Sequence, residues 1–263
     1  MSITRLITEA IVILLLAYFI FGIFLFFSQR SMIYLPEKQD FNDCPGFADY
    51  QKMEHNGTRF YFKQQSTEKV IVYYHGNAGS ACSRSYAKKL FEQANHSVLF
   101  VEYAGYANDK RKTSSELILQ DVQNVKKFVE KKGFSHTTLY GESIGTGAAS
   151  YHAHIGNADA MILVSPFSTL ADVAQSKYRI YPAKVLLTEQ YDNIGWLSDY
   201  HGKLLVLHGD KDRIIPSTFS KTLFETVPTE EREYVLIKGK GHNDIFNTAQ
   251  FSEKITSFLK KEK

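Results

Sequence analysis

Between Ile11 and Phe27 the chain carries 16 apolar residues in 17, broken only by Gly22. Extended back to Leu6 the run is 22 residues, about 33 Å as a helix, against a hydrocarbon core of roughly 30 Å. Having no polar face, such a helix does not suit the surface of a soluble core, and the reading is a membrane anchor spanning about 6–27. Thr8 and Glu9 fall in its first turn, where an ionised carboxylate costs much less than at the bilayer midplane. A cleaved signal peptide would have a shorter apolar core followed by small residues. Phe26-Phe27-Ser28-Gln29-Arg30 offers none. The flanking cations are nearly balanced, with Arg5 on one side and Arg30 and Lys38 on the other. The expected arrangement is single-pass, amino terminus inside, with the bulk of the chain on the outer, non-cytoplasmic side.

Five of the 19 Phe lie in that run, so the 44% hydrophobic content averages an anchor (1–29) with an ordinary domain (30–263). A charged fraction of 22% and an aromatic fraction of 14% exclude a disordered chain. A net charge of +3 over 263 residues is too small to bind a polyanion, so nucleic acid is excluded as a partner, and membrane lipid is expected to meet the anchor. Cys44 and Cys82 match no redox or metal motif; Cys82 reads as an inert packed thiol, and whether the two pair is left open. The Lys pairs 126/127 and 131/132 and the end Lys260-Lys261-Glu262-Lys263 read as solvated helix faces and ends.

Beyond Arg30, β-rich runs at Met32–Leu35 and Thr58–Lys63, the second preceded by the turn dipeptide Asn56-Gly57, predict a leading antiparallel hairpin. Compact apolar runs follow at 70–74, 98–103, 137–140, 161–164, 204–207 and 235–237. They do not alternate, which suits strands buried on both faces of a parallel sheet. Helical stripes lie between and after them: Ile118, Val122, Val125 and Val129 behind the capping pattern Thr113-Ser114-Ser115-Glu116, and Phe251, Ile255, Phe258 and Leu259. The alternation predicts an α/β fold, a mostly parallel central sheet with helices on both faces.

Gly141-Glu142-Ser143-Ile144-Gly145 follows one of these strands and opens a segment rich in Ala and Gly. A serine nucleophile needs a strained strand-to-helix turn flanked by small residues, and Gly141 and Gly145 supply them. Serine also needs an imidazole base and a carboxylate to orient it. Asp210 and Asp212 leave the strand at 204–207, and His242 and Asp244 leave the strand at 235–237, giving the order Ser, Asp, His.

With these residues in place the sequence resembles a serine α/β-hydrolase, and within that superfamily the membrane-anchored Bem46-like and ABHD13/ABHD17-like group. The carrying residues are His75-Gly76-Asn77-Ala78-Gly79, Glu102-Tyr103-Ala104-Gly105-Tyr106, the turn at 141–145, Ser165-Pro166-Phe167-Ser168, the two loops bearing Asp212 and His242, and Arg30-Ser31-Met32-Ile33-Tyr34-Leu35-Pro36. The resemblance implies Ser143 as nucleophile, His242 as general base and then acid, and Asp212 as the orienting carboxylate. It implies an oxyanion hole from the backbone N–H groups of Asn77 and Ile144. The group's usual Gly after the Gly-Tyr pair is here Ala107, and Ala104 also departs from its pattern, so the loop at 103–107 is expected to shape a different pocket wall.

The stretch 168–202 is longer than one crossover helix requires and reads as a small helical lid. Tyr103, Tyr106, Phe167, Tyr181, Leu187 and Tyr191 are the candidate pocket walls, with packing of the lid's own aromatics as the alternative for its members. His152 and His154 are two apart, do not share a helix face, and read as surface polarity, so no metal or cofactor is expected. His75 and His208 read as hydrogen-bonded loop residues. The expected function is hydrolysis of an acyl ester or thioester, of lipid or acylated protein, through an acyl-enzyme. The alternatives are a peptidase of the prolyl-oligopeptidase kind, which generally needs a large gating domain, and a silent membrane-tethered binding module. Dehalogenase chemistry is disfavoured because the turn holds Ser and not Asp.

Overall fold

The structure is a computed structural model that describes residues 2–156 and 158–261; Glu262 and Lys263 of the basic end lie outside the described residues. The chain opens with α1 (Ile3–Ile33), which has no buried residue, and β1 (Leu35–Pro36). Then come the hairpin β2 (Gln51–His55) and β3 (Thr58–Lys63), the strand β4 (Lys69–Tyr74) and the short β5 (Ala78–Gly79). The alternating part runs through α2 (Lys88–Glu92), β6 (Ser97–Glu102), α3 (Ser115–Lys132), β7 (His136–Glu142), α4 (Gly145–His154) and β8 (Ala160–Val164). An insert of three short helices, α5 (Leu170–Lys177), α6 (Ala183–Leu186) and α7 (Asn193–Trp196), precedes β9 (Lys203–Gly209), α8 (Ser217–Thr226), β10 (Arg232–Ile237) and α9 (Ala249–Lys260).

Among the described residues, eight strands form one sheet in the order β10-β9-β8-β7-β4-β6-β3-β2, parallel except where β3 meets β2 and β6. The interior strands are buried on both faces, which is why their sequences do not alternate. Asn56 (φ 51°) and Gly57 (φ 80°) both take the left-handed conformation that the hairpin turn requires. The α3 stripe is buried, and Ser114 caps the helix by accepting from the Leu117 amide. The α9 stripe buries Phe251, Ile255 and Leu259.

Three expectations are corrected. Met32 and Ile33 belong to α1 and not to a strand; the hairpin partner of β3 is β2, while β1 pairs in parallel with β5. The helix continues beyond the apolar run, which ends at Phe27, so the boundary drawn between residues 29 and 30 falls inside it. Cys44 and Cys82 form a disulfide that ties the segment before β2 to the turn before α2. Closing a loop across a separation of 38 residues can stabilise the fold by up to about 4 kcal/mol. His152 is fully buried against Tyr74, Nδ1 lying 2.7 Å from the hydroxyl, because α4 is covered by the sheet on one side and by α3 and α7 on others; burial pushes its imidazole pKa down to about 3.

The insert packs on α1. Tyr181 stacks on Tyr18 with ring centroids 4.5 Å apart, and the Tyr18 hydroxyl donates to the Ile180 carbonyl at 2.9 Å. Gly22, the one break in the apolar run, lies where the Tyr181 ring passes; a Cβ there would sit 3.1 Å from it. Nearer the domain, Glu189 accepts from Arg30 (2.7 Å), the Tyr34 hydroxyl (2.7 Å) and the Ser115 amide (2.5 Å), with its own side chain 1% exposed. Removing this carboxylate strands buried donors. Glu189→Ala is expected to lower the unfolding free energy of the detergent-solubilised full chain by about 2–3 kcal/mol in a denaturant titration. A loss below about 0.5 kcal/mol would show that the carboxylate does not hold α1 to the insert.

Candidate active site

The carboxyl ends of the parallel strands point to one edge of the sheet, where open α/β sheets place their ligands. Ser143 follows β7 there. Its φ of 52° lies in the left-handed region, a strain the surroundings enforce. A Cβ on Gly145 would collide with the carbonyls of Tyr74 and His75, and one on Gly141 would sit 2.6 Å from the Gly145 carbonyl oxygen. The two glycines therefore let α4 start directly over the strand end.

His242 stands on the loop after β10, with Nε2 2.9 Å from Ser143 Oγ and Nδ1 2.6 Å from Asp212 Oδ2. Asp212 Oδ1 accepts the amides of Ile214 and Ile215, each at 2.9 Å, and Oδ2 lies 3.2 Å from His208 Nε2. Burial alone would raise this carboxyl; the His208 and His242 contacts and the Ile215 amide outweigh it and hold the pKa well below the usual 3.8. The rival carboxylates are occupied elsewhere: Asp210 accepts the Gly239 amide and Asp244 the Gly241 amide, both at 2.6 Å. The Asp210 bond, with Lys211 donating its amide to the Lys240 carbonyl at 2.8 Å, ties the two loops together, while the Asp244 bond closes a turn within the second.

Asn77 and Ile144 flank the serine from the loop after β4 and from the start of α4. Among the described residues neither backbone N–H has a protein acceptor. The loop carrying Asn77 is held from several sides. Its carbonyl accepts from the Tyr106 hydroxyl at 2.7 Å and the Leu35 amide at 3.2 Å, and its side chain donates to the Ile33 carbonyl at 3.0 Å. Glu142 supports the same loop: Oε1 accepts the Gly76 amide (2.8 Å) and Arg84 Nε (2.6 Å), and Oε2 accepts the Tyr73 hydroxyl (2.8 Å). Burial opposes its charge, but the Arg84 guanidinium and these hydrogen bonds hold its pKa below the usual 4.5.

A cavity of about 60 Å³ lies at Ser143, with Gly76, Asn77, Arg84, Glu142, Ser165, His242 and Phe246 in its wall. It has room for a reacting carbonyl and little more. None of the six candidate pocket residues lines it. Tyr103, Tyr106, Phe167 and Tyr191 are buried in the core, the tyrosines spending their hydroxyls on His75 O, Asn77 O and Tyr34. Tyr181 and Leu187 line a separate apolar groove between α1 and the insert. Ala104 and Ala107 are likewise buried and form no pocket wall; Ala107 keeps a φ of 46°, the conformation that suits the glycine of the related pattern. His75 and His208 are buried, bonded to the carbonyls of Gly76 and Ile215. Arg84 and Phe246 carry no signal in the sequence; Ser165 stands there only within the run Ser165-Pro166-Phe167-Ser168, and Glu142 only within the turn at 141–145. Ser165 shares the left-handed backbone (φ 49°) and has a buried hydroxyl with no partner among the described residues.

Comparison with known proteins agrees with the fold. No family model matches the chain. The uncharacterized protein Rv2307c of Mycobacterium tuberculosis is 28% identical over 233 residues, 84% of this chain and 83% of that protein. Human α/β-hydrolase domain-containing protein 17C is 28% identical over 203 residues, 75% of this chain and 60% of that protein. These likenesses support the ABHD-like α/β-hydrolase superfamily. Solved structures share the fold of this α/β-hydrolase: the Pyrococcus furiosus esterase PF2001 has a TM-score of 0.67 at 13% identity, over 86% of this chain and 96% of that one. Est1E of Butyrivibrio proteoclasticus, solved with ferulic acid, has a TM-score of 0.65 at 16% identity, over 80% and 96%.

The two depressed carboxyls of this hydrolase fix a sign. A group whose pKa is lower folded than unfolded contributes stability above its unfolded value and loses it as pH falls through the folded value. For Glu142 and Asp212 the loss begins below the ordinary values of 4.5 and 3.8. Denaturant titrations from pH 7 to pH 3 should show stability falling on the acid side, and Asp212→Asn and Glu142→Gln should each flatten that fall. Unchanged acid limbs in both variants would contradict the pKa directions.

Proposed function

We propose that the chain is a membrane-anchored serine hydrolase that cleaves acyl esters or thioesters through an acyl-enzyme. The observation that carries this reading is the continuous relay Ser143 Oγ, His242 Nε2 and Nδ1, Asp212 Oδ2, with contacts of 2.9 and 2.6 Å, standing beside two free amides. His242 takes the Ser143 proton as Oγ attacks the acyl carbon, and the nearby Asp212 carboxylate stabilises the resulting imidazolium. The developing oxyanion is received by the amides of Asn77 and Ile144. His242 then gives the proton to the departing alcohol or thiol, and water attacks the acyl-enzyme with His242 again as base. Esterase neighbours such as the Pyrococcus furiosus protein support ester chemistry on this fold.

Ser143→Ala should abolish both p-nitrophenyl ester hydrolysis and fluorophosphonate labelling. Asp212→Asn should lower kcat on the order of 10⁴-fold, because the imidazole loses the partner that fixes its tautomer. Labelling that persists in Ser143→Ala would reject the assignment.

The anchor reading rests on α1, 31 residues long and so about 46 Å, with no buried residue and more than the length that a bilayer core requires. The Cys44–Cys82 disulfide supports placing the domain on the outer side, since such bonds persist in oxidising compartments. Maleimide applied to freshly denatured membranes should label neither cysteine until reductant is added. Labelling without reductant would put the domain on the cytoplasmic side.

A further inference from the structure

An apolar groove of about 240 Å³ is walled on one side by α1 (Leu25, Phe26, Met32, Ile33) and on the other by the insert, including Ala174 and Leu186. Its position along α1 decides what surrounds it. The insert follows the helix back to Tyr18, which accepts the Tyr181 hydroxyl at its carbonyl and stacks on that ring. Tyr18 lies nine residues before Phe27, the end of the apolar run, or about 14 Å of helix. If α1 spans the bilayer, the tip of the insert is within hydrocarbon. Its surface fits that setting: Ile180 is 75% and Val185 82% exposed, beside the bare apolar face of α1. In water these side chains would form a costly patch continuous with the anchor.

The groove also adjoins the chemistry. Ile33 lines it, and the Ile33 carbonyl accepts from the side chain of Asn77, which lines the Ser143 cavity. At the other rim Lys177 donates to the carbonyl of Arg213, the neighbour of Asp212.

Resting on the reading of a membrane-anchored hydrolase, we propose that this groove receives one acyl chain of a lipid ester directly from the leaflet around α1, so that the anchor is one wall of the substrate site. The volume of 240 Å³ lies below the roughly 300 Å³ at which sites for whole small molecules begin, which suits a single chain with its remaining length in the bilayer. The walls are apolar, with Gln29 and Lys177 as the polar side chains at the rim. The nearest link from the groove to the serine cavity is the Ile33–Asn77 hydrogen bond, which sets the end of the groove that would face the ester carbonyl.

The test uses the full chain as Ser143→Ala in phosphatidylcholine vesicles containing a lysophosphatidylcholine with a diazirine in mid-chain. After photolysis, adducts are expected on residues 25–33 of α1 and 170–187 of the insert. Adducts confined to residues 3–24, the turns that any spanning helix shows to lipid, overturn the proposal, as does occupation of the groove by a second copy of α1 seen as cross-linked dimer. The labelling does not depend on turnover, so it stands even if the wild type hydrolyses no ester, an outcome that would defeat the hydrolase reading alone. Where ester hydrolysis is found, Ala174→Phe, which fills the groove, should lower the ratio of palmitoyl to acetyl kcat/KM by about ten-fold or more. A ratio within about two-fold of wild type overturns the proposal.

Discussion

The close approach of α4 to the end of β4 sets the geometry on which the site depends. With no Cβ at Gly145, the backbone packs against the carbonyls of Tyr74 and His75, and this contact brings the Ser143 turn and the loop 75–79 to the same point. The strain at Ser143 is held by that packing and by its amide bond to the Val164 carbonyl at 2.9 Å. Glu142 then acts on the same junction from beneath. A buried carboxylate is tolerable only when it is paired and hydrogen-bonded, and this one satisfies both conditions through Arg84, Tyr73 and the Gly76 amide. Its partners belong to the strand and turn that frame the proposed oxyanion site, so the charge orders that loop as well as being solvated by it.

The helix α1 joins the same network at its carboxyl end. Ile33, the last helical residue, accepts from Asn77; β1, one residue further on, pairs with β5; Arg30 and Tyr34 meet Glu189. Glu189 also accepts the Ser115 amide at the start of α3, so one carboxylate joins the anchor, the insert and a helix that packs on the sheet. No flexible linker separates α1 from the domain. The geometry of the loop bearing Asn77 is thereby tied to where the helix ends.

Much of this was legible in the residues. Unalternating runs gave doubly buried strands because both faces of a parallel sheet are covered, and the glycines around Ser143 reported a packing contact that the structure shows. The choice of Asp212 over Asp210 and Asp244 came from resemblance; in the fold Asp212 is the carboxylate 2.6 Å from His242 Nδ1, while Asp210 and Asp244 accept the amides of Gly239 and Gly241. What was not legible depends on distance in space. The Cys44–Cys82 pair joins segments brought together only by the fold, and His152 is buried because α4 is covered almost all round, which its spacing from His154 could not disclose. Aromatic residues near the motifs suggested a substrate wall, yet Tyr103, Tyr106, Phe167 and Tyr191 serve the core, since a large ring beside a strand end is as useful for packing as for binding.

Placing the anchor residue by residue changes what its sequence means. A helix needed only for tethering would be indifferent to its internal order, so long as it stayed apolar and long enough. Here Gly22 admits the Tyr181 ring, Tyr18 exchanges hydrogen bonds with the backbone and side chain of the insert, and Gln29 accepts the Thr188 amide at 2.7 Å. These residues recur along one side of α1 at intervals of four and seven, consistent with a single face directed at the insert. Polar groups are costly in an apolar setting unless they are satisfied, and the Tyr18 hydroxyl and Gln29 Oε1 are satisfied by the insert. The apolar composition of α1 therefore accounts for its length, while the few exceptions to that composition account for its fixed seat against the insert and, through Ile33, for its contact with the site.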